Sequence, residues 1–250
     1  MNPALHISYD DMVRNYASRR GLINSSTAAV ELSVGEARMF SVWLSNAIKE
    51  AWDKPRGKDW VWPFTVTSNS ALAVTDGVIA LADISYGPWF SLWSSDPRVA
   101  TASGYRVPIR MHDSSGIYPQ TDLGAVFALY VPRAPEFDST AWTNSTAVTA
   151  GGVRYDSTTG QCYRAVINVP ATAIALTNTT YWEEQLIPKN FNDYLTLSTF
   201  GMYHTTAGQH ETAGKYAADA LDDLENEFIA CYRDSPTGSG KPLYAGGLWR

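Results

Sequence analysis

The sequence predicts an α+β chain: a helical bundle closed by N- and C-terminal helices, with a β-rich antiparallel insert between them and an extended C-terminal arm. Three patterns carry that reading. Apolar residues recur at three- and four-residue steps near both ends of the chain. Short apolar runs broken by Gly, Pro, Asp and Ser fill residues 60–182, and the last stretch is punctuated by prolines and glycines that no helix or core strand accommodates.

Two N-terminal helices open the chain. Ser8 and Asp11 stand at capping-box spacing, and Tyr9, Met12, Val13, Tyr16 and Ala17 repeat at helical steps until Gly21 ends the segment. Ser33 and Glu36 form a second box. After it, Phe40, Trp43, Leu44, Ala47, Ile48, Ala51 and Trp52 trace a wide apolar stripe that should stop at Lys54, because Pro55 disfavours helix in the residue before it. The runs 60–67, 78–84, 89–93, 107–111, 125–131 and 161–167 read as strands, with turn signals suited to an antiparallel sheet or sandwich. Residues 140–159, rich in Ser, Thr and Gly, read as loop or a change of subdomain. Helix returns at Pro188, which suits a first helical turn, with Phe191, Tyr194, Leu195 and Phe200 on one face. Beyond Gly208, Ala217, Ala220, Leu221, Leu224, Phe228, Ile229 and Tyr232 form another stripe opposite Asp219, Asp222, Asp223, Glu225 and Glu227. The expected divisions are residues 1–58 for the N-terminal helices and 59–187 for the β-rich insert, with a small aromatic subdomain at about 140–187. Residues 188–234 then complete the bundle and 235–250 form the arm. Leu243, Tyr244, Leu248, Trp249 and Arg250 give that arm an apolar tip, which reads as a partner-docking segment.

Composition excludes several classes. With 45% apolar residues, nine Trp and fourteen Tyr in 250 residues, the chain can bury a substantial core, so general disorder is excluded. Only 18% of residues are charged, and aromatics in such number suggest surface covered by other protein. A net charge of -6 argues against a nucleic-acid binder as a whole. Cys162 and Cys231 lie in dissimilar contexts without a Cys-x-x-Cys pair, which argues against a zinc site or disulfide framework. The first twenty residues carry acids and arginines where a signal peptide needs an apolar stretch, and no window reaches about 18 uninterrupted apolar residues. Synthesis in a cytoplasm, with no membrane partner, is therefore expected, and the Asn-x-Ser/Thr triplets at Asn24, Asn144 and Asn178 read as accidents of composition.

Chemistry-bearing patterns are sparse. His204, His210 and Glu211 suggest a metal cluster, but six residues separate the imidazoles, whereas helical ligation needs a step of four. His112-Asp113-Ser114 is a turn-like triplet, since triad members converge from distant positions. Asp10-Asp11, Glu183-Glu184 and Asp222-Asp223 are neighbours whose side chains diverge. No phosphate-cradling glycine motif occurs. Arg19-Arg20 and the cations at 54–58 read as solvated helix ends, and the aromatic run 60–64 as a core hinge in preference to a stacking site. No catalytic residue, cofactor or metal is expected; a hydrolase with a dispersed site is the remaining enzymatic reading.

Two segments resemble known proteins. The Tyr9-Asp10 helix with Arg19-Arg20-Gly21-Leu22, the long helix ending in Asn46-Ala47-Ile48-Lys49-Glu50-Ala51-Trp52, and Trp62-Pro63 together resemble the N-terminal region of head-to-tail adaptor (neck, or connector) proteins of tailed bacteriophages. Gly151-Gly152-Val153-Arg154-Tyr155, Cys162-Tyr163-Arg164-Ala165, Thr180-Tyr181-Trp182-Glu183-Glu184 and Ile187-Pro188 look like a small aromatic fold of phage virion proteins. That fold is similar in pattern to chitin- and cellulose-binding modules. The resemblance implies a structural virion protein of the neck, assembled in the host cytoplasm. It implies a homo-oligomeric ring, commonly twelve-fold, that binds the portal on one side and a stopper or tail protein on the other. Genomic DNA would pass through its lumen without specific binding, which a net acidic chain suits. A stopper or tail-completion role in the same neck is the alternative. So is a carbohydrate-binding virion module using Trp142, Tyr155, Tyr163, Tyr181 and Trp182, although Ala171-Thr172-Ala173-Ile174 stand where such modules carry a polar, glycine-rich loop. The plainer reading of these aromatics is that they form the small core of the fold.

Overall fold

The computed structural model describes residues 6–22, 32–54, 67–80, 90–96, 104–112, 116–130, 133–143, 146–172 and 174–233. In chain order its first elements are β1 (His6–Ile7), α1 (Tyr9–Arg19), α2 (Val34–Asp53), β2 (Thr67–Ala73), β3 (Ile79–Ala80) and β4 (Phe90–Trp93). There follow β5 (Arg106–Val107), β6 (Ile109–His112), β7 (Gly116–Pro119), β8 (Ala125–Tyr130), β9 (Val153–Asp156) and β10 (Gln161–Ala165). The chain continues with β11 (Trp182–Gln185), β12 (Ile187–Pro188), a 3-10 turn at Lys189–Phe191, α3 (Asn192–Thr206) and α4 (His210–Arg233). The protein is thus mixed α+β, and its strand ladders are antiparallel.

Two compact units divide the chain: Met1–Lys54 with Ala134–Ala230, and Pro55–Arg133 with Cys231–Arg250. This corrects the expected 59–187 insert. Its later part, including the aromatic subdomain, belongs with the helices, because β12 pairs with β1 and the β9–β10 hairpin rests on α1. Tertiary contacts mark the boundary.

In the first unit, both N-terminal helices start where their boxes stand. The Ser8 hydroxyl accepts the Asp11 N–H at 3.0 Å and the Asp11 carboxylate accepts the Ser8 N–H, with the same reciprocal pair at Ser33 and Glu36. α1 ends in a Schellman turn. The Leu22 N–H donates to the Ala17 carbonyl and the Gly21 N–H to that of Ser18, with Gly21 at φ 68°. The expected α2 stripe is buried in full, from Phe40 to Trp52. Phe40, wholly inaccessible, lies 4.9 Å from the Tyr16 ring and 6.0 Å from that of Tyr9. α3 packs on α1 and α2: Tyr203 meets Tyr16 edge-on, Trp52 meets Phe191 just ahead of α3, and the Asn15 amide donates to Asn192.

α4 departs from expectation. Ala213, Ala220, Leu224 and Phe228 are buried, while Ala217, Leu221 and Ile229 face solvent. The sequence stripe is wider than the face that is buried; the side chain of Tyr232 lies outside the described residues. Pro188 is likewise not inside a helix. It pairs with His6 at the end of β12, and its extended ψ of 131° precedes the 3-10 turn.

The second unit holds two antiparallel sheets, ordered β2-β8-β4-β5 and β3-β7-β6. They share one core of Leu72, Ile79, Leu92, Val107, Ile117, Val126 and Ala128. The predicted run 107–111 is divided at Pro108, which has no N–H to continue the ladder: β5 pairs with β4, while β6 pairs with β7. β2 overlaps the predicted run 60–67 only at Thr67, and residues 60–66 lie outside the described residues. Its sequence Thr67-Ser68-Asn69-Ser70-Ala71-Leu72-Ala73 has weak strand propensity, so the ladder with β8 decides it. β7 and β11 gave no run of their own. β9 lies within residues 140–159, read as loop, and is drawn into strand by pairing with β10.

Truncating the most enclosed ring tests the α1–α2 core. Phe40→Ala should cost about 3–5 kcal/mol in chemical denaturation, whereas Ser33→Ala at the cap should cost about 1 kcal/mol.

Candidate functional site

The residues proposed for sugar stacking lie in and beside a small three-stranded sheet ordered β11-β10-β9. Tyr163, Ala165 and Trp182 join Val148, Val169 and Leu176 in its core, against which Trp142, Tyr181 and Ile174 pack. Trp182 is 2% exposed and Tyr163 8%. A sugar-stacking ring must offer an open face, and neither does; the Trp142 indole closes on Trp182 at 5.0 Å, edge to face. Tyr163 and Trp182 are core residues, which removes the carbohydrate alternative at these two positions. Sequence alone could not separate the two, because an aromatic at a strand position is equally suited to either.

Tyr155 has a different task. Its hydroxyl donates to the Asp10 carboxylate at 2.6 Å, and the Asp10 N–H donates to the Gly160 carbonyl at 3.1 Å. The tip of the β9–β10 hairpin is thus clipped to the first turn of α1. Gly160 makes this approach possible. It sits at φ 71°, and a Cβ there would lie 2.8–3.0 Å from Asp10 side-chain atoms. Burial, then the Asp10 carboxylate, raises the Tyr155 phenol well above its ordinary value. Nearby, the Tyr9 ring stacks on Phe137 at 5.9 Å and its hydroxyl meets Ser41 Oγ at 2.7 Å, while burial pushes the Cys162 thiol up to about 12. Such a thiol is a poor nucleophile at neutral pH.

The remaining candidates resolve into structural roles. Asp10 and Asp11 do diverge, one to Tyr155 and the other to Ser8. Glu183 is held by Arg164 at 2.6 Å. His204 lies edge-on to Phe200 and parallel to the Tyr216 ring, joining α3 to the start of α4, and its Nδ1 is hydrogen-bonded to Gln209. Among the described residues no three His, Cys, Asp or Glu side chains group as metal ligands, His204, His210 and Glu211 included. His112 is in β6, with Asp113 and Ser114 outside the described residues, as are the run 60–64 and the arm residues Leu243, Tyr244, Leu248, Trp249 and Arg250. No described helix is long and apolar enough to cross a membrane.

Arg20 corrects the reading of Arg19-Arg20 as solvated helix ends. Its guanidinium reaches Glu36 at 2.7 Å and lies 4.2 Å from the Tyr203 ring centroid, joining α1, α2 and α3. The charge assistance was legible only in part: Tyr16 and Arg20 are four apart, but Tyr203 is distant in sequence. The Arg20 hydrogen bond, helped by Ser33, holds the Glu36 carboxyl down at about 2.

The chain matches no family model, no curated protein and no solved structure. Function must therefore be argued from surfaces, and these are distinctive. Among the described residues the aromatics of both ends go inward, and the exposed large apolar side chains are aliphatic except for Tyr105. On α2, Val34, Met39 and Val42 are exposed beside Arg38 and Lys49; on α4, Leu221 and Ile229 are exposed beside Asp219 and Asp222. Asp223 completes the acidic side, its carboxyl raised by partial burial and then by Asp193 and Asp219, with Arg19 opposing. The sequence pattern puts the apolar residues of α4 in one stripe and gives no sign of those exposed on α2, whose exposure follows from their place opposite the buried stripe.

The clip at the hairpin tip predicts that Gly160→Ala destabilises the first unit by about 2 kcal/mol, through strain at positive φ and displacement of Asp10. Tyr155→Phe, which keeps the ring, should cost about 1–2 kcal/mol by the same denaturation measurement. Glu36 has a folded-state value below its ordinary 4.5, so its contribution is present above 4.5 and lost as pH falls towards 2. Glu36→Gln preserves the cap but removes the ion pair; its melting temperature should be lower at neutral pH and should converge on that of the parent near pH 2.

Proposed function

We propose that this chain is a structural virion protein of a tailed bacteriophage: a head-to-tail adaptor whose ring joins the portal to the tail and forms part of the DNA conduit. The observation that carries the reading is the packing of α3 on α1 and α2, with residues 55–133 as a unit of their own. A bundle built from distant parts of one chain, together with a β-rich unit of its own, is the layout implied by the resemblance to neck proteins. The aliphatic residues exposed on α2 and α4 add support, since a subunit of a heterologous ring needs two different surfaces for identical neighbours. In this reading the chain has no catalytic turnover, and residues 235–250 reach the portal through Leu243, Tyr244, Leu248, Trp249 and Arg250. DNA meets a net acidic wall that does not retain its phosphates.

The test combines the purified chain with portal assemblies and follows co-sedimentation and particle infectivity. Ring-sized complexes are expected with the full chain, with loss of portal binding and of infectious particles on deletion of residues 235–250. A chain that stays monomeric with and without portal, and particles that remain infectious without those residues, would overturn the reading.

A further inference from the structure

We infer that the second unit holds a binding cavity for a small carboxylate with an aliphatic body, at the point where β5 passes into β6. The inference rests on that unit alone and is independent of the neck reading. The opening follows from Pro108. With no N–H to donate, it ends β5 at Val107, so the ladder to β4 stops there and Ile109 begins the ladder to β7. Pairing thus passes from one sheet to the other. A cavity of about 350 Å³ lies at the parting, lined by Ser91, Leu92, Arg106, Val107, Pro108 and Ile109. Both sides of the junction are anchored: Leu92 and Val107 are register partners in the shared core, and the Pro108 carbonyl accepts the Gln120 N–H at 2.8 Å. The cavity is therefore preformed, and its volume falls in the range of small-ligand sites.

The lining selects the ligand. Leu92 and Val107 are buried and form an apolar floor, while Pro108 and Ile109 form a more open apolar wall. Both polar side chains are donors. Ser91 is 1% exposed and its Oγ accepts the Trp93 indole N–H at 3.0 Å, which leaves the hydroxyl proton with no acceptor among the described residues. Arg106 is permanently cationic, and a guanidinium has several N–H donors, so it can meet a carboxylate while keeping the interaction it already makes. No carboxylate lines the cavity among the described residues. A cation and a hydroxyl donor without a resident acceptor call for an anion, and the apolar side chains call for a hydrocarbon attached to it. An amine or a metal cation would be repelled by Arg106, and inorganic phosphate would bring no apolar group to the floor.

The test uses the full chain with hexanoate as the probe, and follows binding by saturation-transfer difference NMR. Saturable binding in the millimolar range is expected, with stronger transfer to the terminal methyl, which rests on Leu92 and Val107, than to the methylene beside the carboxylate. Hexanamide has the same chain without the charge and should bind about tenfold more weakly. Arg106→Gln should weaken hexanoate by about tenfold, to the level of hexanamide, and should barely affect hexanamide itself; Arg106→Lys should keep part of the preference. Ile109→Ala should weaken both ligands alike, and Lys215→Gln, an equal change of net charge on α4, should leave both unaltered. The ratio of the two affinities does not depend on how much of the protein is folded, so a variant of lowered stability still reports. Absence of saturable hexanoate binding, equal affinity for hexanoate and hexanamide, a ratio that Arg106→Gln leaves unchanged, or inorganic phosphate binding as tightly as hexanoate would each overturn the assignment.

Discussion

The ring of Tyr9 is where the first unit is tied together. It is the first residue of α1, fixed there by the Ser8–Asp11 capping pair, and it stacks on Phe137, tilts against Phe40 and Tyr155, and bonds through its hydroxyl to Ser41. One side chain therefore touches α2, the stretch that re-enters the unit at residue 134, and the β9–β10 hairpin. Burial raises its phenol far above the ordinary value, so the ring stays neutral and the Ser41 partner satisfies its polar atom. That junction extends the core that α3 already shares with α1 and α2 to residue 137 and the β9–β10 hairpin.

Around this point the aromatic surplus is spent internally. Composition suggested that rings cover an interface, but among the described residues Trp43, Trp52, Tyr16, Tyr194 and Trp182 are buried, and what remains outside is mainly aliphatic. The difference follows from chain economy. A unit assembled from two distant stretches has little regular sheet to close it, and large rings with polar tips fill the gaps while their hydroxyls find partners across segments, as Tyr155 does with Asp10 and Tyr194 with Glu50. Few charges are then available for the surface, with 18% of residues charged.

Of the histidines and acids that suggested chemistry, His204, Asp10, Asp11 and Glu183 are committed to stacking, capping and ion pairing, and several uncovered apolar side chains lie on the long helices α2 and α4. The resemblance to neck proteins names a setting in which copies of one chain join one another.

The sequence by itself determined what depends on near neighbours. Both capping boxes, the Schellman end at Gly21, the buried face of α2 and the apolar face of α3 follow from residues within about four positions of one another, where local geometry leaves one solution. It also determined that an antiparallel β region lies between the helices. Tertiary structure decided whatever depends on distant partners. β2 and β9 are strands because β8 and β10 pair with them; Pro188 is extended because β1 binds it; Arg20 is an anchor because Tyr203 arrives beneath it. The division at residue 134, the core role of Trp182 and the uncovered flank of α4 belong to the same class. An apolar or aromatic residue carries the tendency to be covered, but only the packing of segments far apart in the chain determines what covers it, and whether anything in the same molecule does.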